Sequence, residues 1–135
     1  MARGLTPKLP IALDEVDGIK LIKNFPDLVE QNLKNLILTM PGERIMDPLF
    51  GVGRPSFLFQ PNNATTFAEI RAKVIQQVNK YMPFVRIDGI EFSTESTEEP
   101  DGFLAVPGTN SDPNFVGMKI TYTIVPLKAT RNLKL

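Results

Sequence analysis

The chain has 135 residues and 15.1 kDa, with 42% hydrophobic residues and fifteen basic against fifteen acidic side chains. That is the length of one domain with apolar material for one core, and a formal net charge of zero argues against a general nucleic-acid binder, which normally shows a basic excess. Cysteine and histidine are both absent, which excludes disulfides, thiolate or imidazole metal ligation, cysteine nucleophiles and the Ser-His pair.

No apolar run approaches the roughly 18 residues of a membrane span. Residues 1–10 contain prolines and two basic side chains but no apolar stretch of the kind a secretion signal needs, so a soluble, cytosolically made protein is expected. Pro7 and Pro10 keep these residues out of a helix, as an extended N-terminal arm. Ile11 and Leu13, then Ile19 and Leu21, alternate with polar neighbours around Asp17-Gly18, a pair that tolerates positive φ. Residues 11–23 read as a short hairpin turning there, the competing reading being an irregular loop. Pro26 suits the first turn of a helix, and Val29, Leu33, Leu36, Ile37 and Met40 form one apolar face through residues 26–39 until Pro41-Gly42. Residues 40–60 then lack periodicity, and so long an irregular stretch in a compact domain usually has a function.

Thr66-Phe67-Ala68-Glu69 fits a capping box, and Phe67, Ile70, Val74, Val78, Tyr81 and Met82 follow at helical spacing until Pro83. Arg71, Lys73 and Lys80 fall on the polar face, expected to be solvated. Residues 84–92 read as a strand whose inward phase switches from Val85 and Ile87 to Ile90 and Phe92 across Asp88-Gly89, the mark of a β-bulge. Residues 93–114 carry Glu95, Glu98, Glu99, Asp101 and Asp112 and no basic residue, with Phe103-Leu104-Ala105-Val106 at their centre. In the cleanest strand, Val116, Met118, Ile120, Tyr122 and Ile124 alternate with Gly117, Lys119, Thr121, Thr123 and Val125 until Pro126. Residues 127–135 read as a basic C-terminal tail. The sum is a single α+β domain over 1–135, a small mostly antiparallel sheet with two packed helices. The strand at 116–124 comes so late that it is expected at a sheet edge, open to pairing with another chain.

Candidate chemistry is sparse. Glu43 and Asp47 are the one carboxylate pair worth weighing for glycosidase work, against the plainer reading that Glu43 pairs with an arginine and Asp47 caps the turn before Pro48. Ser56 has no histidine base, the acidic stretch lacks EF-hand spacing, and Pro55 argues against a phosphate loop at Gly51-Val52-Gly53-Arg54. No metal and no cofactor is therefore expected. Arg44, beside Glu43, can fork onto a carboxylate and pin the irregular segment, or reach an acidic partner.

The run from Gln31 to Thr39, then Pro41-Gly42-Glu43-Arg44, Met46, Pro48 and Phe50-Gly51-Val52-Gly53, resembles the signature of the contractile-tail baseplate wedge and sheath-initiator family. Phe57-Leu58-Phe59, Pro61-Asn62 and, after a helix, Tyr81, Pro83, Val85 and Ile87 continue the resemblance over roughly residues 17–125, with a departure at Pro55-Ser56. The resemblance implies a non-catalytic virion protein of the tail baseplate, assembled in the host cytoplasm, six copies per baseplate. It implies a fold similar to the handshake domain of the tail sheath. Expected partners are the tail sheath protein and other baseplate wedge proteins, with tube or hub proteins as an open further contact, and neither nucleic acid nor membrane. A Glu-Pro-Arg motif of the family maps discontinuously onto Glu43, Arg44 and Pro48, with Gly51 and Gly53 beside it, as a structural or wedge contact. Sheath arms would add to the strand containing Val116, Met118, Lys119, Ile120, Thr121, Tyr122, Thr123 and Ile124. The same resemblance admits a type VI secretion or tailocin baseplate. Alternatives of other classes are a peptidoglycan-degrading enzyme acting through Glu43 and Asp47, and nucleic-acid binding by the basic tail.

Overall fold

The computed structural model describes residues 4–16, 18–53, 57, 60–61, 63–93 and 117–135. The chain begins as a narrow antiparallel ribbon. Strand β1 (Thr6–Pro7) pairs with β4 (Leu21–Ile22), and β2 (Leu13–Asp14) pairs with β3 (Gly18–Ile19). The expected hairpin is present, but the extended arm lies along it, with the Leu5 N–H on the Ile22 carbonyl (2.8 Å) and the Lys8 N–H on that of Lys20 (2.9 Å). Its turn differs from the two-residue turn expected. Asp14 pairs with Gly18, so Gly18 belongs to the second strand and not to a two-residue turn. The Asp14 carboxylate accepts from the Val16 N–H (3.1 Å), an Asx turn that starts the reversal early, and Gly18 at φ 74° closes it. Asp17 itself lies outside the described residues.

Helix α1 (Phe25–Leu38) starts with Pro26 in its first turn and buries Val29, Leu33, Leu36 and Ile37. Helix α2 (Ala64–Tyr81) starts earlier than the capping box predicts. Asn63 is the cap, its side chain accepting from the Thr66 N–H (2.9 Å), while the Thr66 hydroxyl turns back to the Pro61 carbonyl (3.0 Å). An asparagine carbonyl serves the cap at least as well as threonine does.

The main sheet has the order β5-β6-β7 from β5 (Val85–Ser93), β6 (Gly117–Ile124) and β7 (Ala129–Lys134), antiparallel throughout. The bulge falls where the phase switch predicts it: Ile87 pairs with Tyr122 and Gly89 with Thr121, leaving Asp88 over. Asp88 accepts from the Thr123 hydroxyl and from Arg86 Nε (3.0 Å), and chiefly the Thr123 contact holds its carboxyl below the usual range.

Two expectations are corrected by β7. The strand through residues 117–124 is central, flanked by β5 on one side and β7 on the other, so it is no edge. Residues 129–134 are a strand of the sheet, not a solvated tail. The chain reverses through a short 3-10 turn (Val125–Leu127) and Lys128 at φ 50°, and Arg131 and Leu133 then alternate inward beside Tyr122 and Ile120. The three basic residues hide a period-2 pattern that is plain once Ala129, Arg131, Leu133 and Leu135 are read together.

Both helices cover one face of this sheet. One cluster joins α1, α2, Val52 and the inward residues of all three strands, and each fully buried Val or Leu in it contributes about 1.5–3 kcal/mol. Arg131 reaches from β7 to the first turns of α1, bonding Asp27 (2.8 Å) and Glu30 (3.2 Å). Beneath that contact the Tyr122 hydroxyl is buried and finds no hydrogen-bond partner among the described residues, and burial, reinforced by the Glu30 charge, pushes its pKa up to about 12. No helix among the described residues is long and apolar enough to cross a membrane.

Candidate functional site: a pinned loop and an open sheet edge

The irregular segment after α1 is held at nearly every turn. Met40-Pro41-Gly42-Glu43 forms a tight reversal with the Glu43 N–H on the Met40 carbonyl (3.1 Å) and Gly42 at φ 94°, the pattern of a type II turn with proline second and glycine third. The Glu43 carboxylate closes the same turn from outside by accepting from the Met40 N–H (2.8 Å). The Gly42 N–H donates to the Pro48 carbonyl (2.9 Å), so Glu43, Arg44 and Pro48 do come together in one loop.

The return limb caps α1. The Val52 N–H reaches the Leu36 carbonyl (3.1 Å) and the Gly53 N–H the Thr39 carbonyl (2.9 Å), answering groups that a helix end leaves without partners. Gly51 makes that approach sterically possible: at φ 112°, a Cβ there would stand 2.2 Å from the Thr39 oxygen. Gln77, only 8% exposed, reads the limb with both ends of its amide, accepting from the Gly51 N–H (3.1 Å) and donating to the Leu49 carbonyl (3.1 Å). Gln77 escaped the sequence reading. Its signal was there, because it lies three residues after Val74 on the apolar face, where a polar residue must find partners.

Arg44 makes no ion pair among the described residues, contrary to the carboxylate fork. Its guanidinium lies 3.6 Å from the Phe50 ring centroid, Phe50 meets Tyr81 edge-on at 4.8 Å, and the Tyr81 hydroxyl donates to Asp47 (2.7 Å). A cation over an exposed ring is worth about 0.5–1 kcal/mol, so the stack holds the loop on the end of α2 without a buried charge. What this rigid loop displays is apolar: Ile45 and Met46 are 94% and 96% exposed, and Leu49 is 67% exposed. Glu43 and Asp47 are spent as fixtures of the loop, and neither lines the groove beside α1 or the shallow concavity between α2 and β5.

The second feature is an edge. Met118 and Leu135 exchange both backbone hydrogen bonds, so by the antiparallel alternation Leu133, Arg131 and Ala129 face β6. The backbones of Thr130 and Asn132 therefore point away from the sheet, and no further strand among the described residues pairs with them. The opposite edge is partly closed, since Arg71 on α2, exposed as expected, also donates to the Ile90 carbonyl (2.9 Å). Of the strand residues expected to pair with a partner, Met118, Lys119, Ile120, Thr121, Tyr122, Thr123 and Ile124 are already paired on both sides, and Val116 lies outside the described residues. No group of acidic side chains among the described residues could hold a metal ion.

A sheet capped by two helices, with a rigid loop presenting apolar side chains and one strand left open, is the build of an assembly module. The sequence matches the family of baseplate wedge protein gp25 over residues 24–125, well over half its length, and the chain belongs to that family. No curated protein matches it by sequence. Among solved structures it is similar to the baseplate of the anti-feeding prophage, with a TM-score of 0.65 and 20% identity over 87% of this chain and 82% of that one. It is likewise similar to a putative tail lysozyme from Geobacter sulfurreducens, with a TM-score of 0.63 and 20% identity over 85% of this chain and 91% of that one. At such identities the likeness concerns the fold, which is that of baseplate proteins of contractile systems.

Proposed function

We propose that this wedge-family protein is a non-catalytic component of a contractile-tail baseplate, docked on other wedge proteins through the 42–49 loop and initiating the sheath through the β7 edge. The observation that carries the reading is that edge. Six residues, Ala129–Lys134, form an outer strand, and Thr130 and Asn132 turn their backbone groups outward. An extended arm from a sheath subunit can add there as a fourth strand, gaining main-chain hydrogen bonds with little demand on its sequence. The edge replaces residues 116–124 as the acceptor. Ile45, Met46 and Leu49 offer the wedge contact an apolar surface that needs no refolding to bind. The six-fold symmetrised anti-feeding prophage baseplate supports six copies per ring. It equally suits a tailocin or type VI machine, which neighbouring genes would separate from a phage tail.

The word lysozyme belongs to the Geobacter protein's description. Here the two carboxylates such chemistry would use are each engaged, Glu43 by the Met40 N–H and Asp47 by the Tyr81 hydroxyl of α2. The test is reconstitution with the sheath protein encoded beside this chain, viewed by negative-stain microscopy. Rings or short tubes are expected only when the chain is present. Asn132→Pro removes an outward N–H without touching a ladder bond, so it is expected to fold normally by circular dichroism yet lose nucleation. Equal nucleation by the folded variant would refute the edge.

A further inference from the structure

We propose that the groove between the N-terminal hairpin and α1 binds the acidic segment 95–112 of a second copy of this chain. The groove encloses about 630 Å³, with Leu21 and Ile22 on its floor and Lys8, Lys20, Lys23 and Lys34 along its walls. These lysines come from four separate places: the arm after β1, the β3–β4 connection, the β4–α1 connection, and α1. They are held together by Gln31, whose amide accepts from the Leu9 N–H (2.9 Å) and donates to the Pro7 carbonyl (3.1 Å), gripping the arm as a neighbouring strand would. Asp27 and Glu30 also line the groove, but both are bonded to Arg131. Lys8, Lys20 and Lys34 make no ion pair among the described residues, and although the Lys8 charge helps hold the Asp27 carboxyl low, four lysines outnumber the two carboxylates around the apolar floor.

The answering charge is in the sequence. Five of the fifteen acidic residues lie within 93–114, where there is no lysine or arginine, so the rest of the chain carries +5 against this segment's −5. The segment also holds Phe103-Leu104-Ala105-Val106, which suits the floor as its carboxylates suit the walls. A neutral chain with its charges separated in this way favours head-to-tail contacts between copies, the heterologous kind that closes rings. The second copy is favoured over the chain's own segment by where that segment is anchored. Ser93 and Gly117 pair at one end of the sheet, whereas the first turn of α1 lies at the other, where Phe25 meets Phe84. This docking is independent of the sheath edge and stands or falls separately from it.

The experiment is carbodiimide cross-linking of the full chain, mixed from unlabelled and heavy-isotope-labelled preparations, read by mass spectrometry. Mixed-isotope links joining Lys8, Lys20 or Lys34 to Glu95, Glu98 or Glu99 are expected at low salt and are expected to fade at high salt. Reversing Lys8, Lys20 and Lys34 to Glu, all three exposed in the fold, is expected to weaken self-association in sedimentation by more than about tenfold. A partner carrying Glu95→Lys, Glu98→Lys and Glu99→Lys is expected to restore it. Links confined to single-isotope chains would place the segment in its own groove and overturn the proposal. So would a monomer at every concentration at low salt.

Discussion

Gly51 and Gly42 look alike in the sequence, each beside a turn with a proline nearby, yet the structure asks different things of them. At Gly42 a methyl group would meet open space, so alanine would suffer only the positive φ, about 1–2 kcal/mol. At Gly51 it would also meet the Thr39 carbonyl at 2.2 Å, and moving that carbonyl would break the cap on α1. Gly51→Ala is therefore expected to lower unfolding free energy well beyond Gly42→Ala, as urea titration of both variants would measure. Single residues also show where the sequence was hard to read. Glu43 and Arg44 are adjacent and opposite in charge, which suggests a pair, but the backbone of Met40 claims one and the ring of Phe50 the other.

At the scale of elements, the bond between α1 and β7 ties the helix layer to the last strand and carries a pH dependence. The Arg131 hydrogen bond holds the Asp27 carboxyl below its ordinary value of 3.8, to which it returns on unfolding. As pH falls the unfolded chain takes up the proton first, so this contribution is complete at neutral pH. It begins to fade near 3.8 and is gone below the folded value. Asp27→Asn is expected to lose less stability than the unmodified protein between neutral pH and about pH 3, as urea midpoints would measure. Asp88, depressed in the same sense by Thr123, leaves part of the acid limb in place. The helices and the bulge in β5 were legible because their periodicity is local. The reach of Arg131 across about a hundred residues of sequence was not.

For the molecule as a whole, β7 decides whether there is a closed core. Leu133 belongs to the buried cluster, and the strand covers one side of β6 from Lys119 to Ile124. A solvated tail could be removed with a change within about 0.5 kcal/mol. Removing residues 129–135 is instead expected to abolish cooperative thermal unfolding, because the central strand becomes an edge and Tyr122 loses its cover. A sharp transition in the truncated chain, measured by circular dichroism, would show the strand to be dispensable.

The α+β class, both helices, the bulge at Asp88-Gly89 and the alternating strand were determined by sequence alone, because each rests on spacing within about twenty residues. The wedge-family resemblance was legible for a similar reason: it rests on short local runs of proline, glycine and charged residues, such as Pro41-Gly42-Glu43-Arg44. Strand order was not, since alternation says which face a strand buries and nothing about which neighbours it takes. Tertiary structure alone made 117–124 the centre and 129–134 the rim. It also turned an irregular loop into a platform, through a glutamine that lies 26 residues from the glycine it binds.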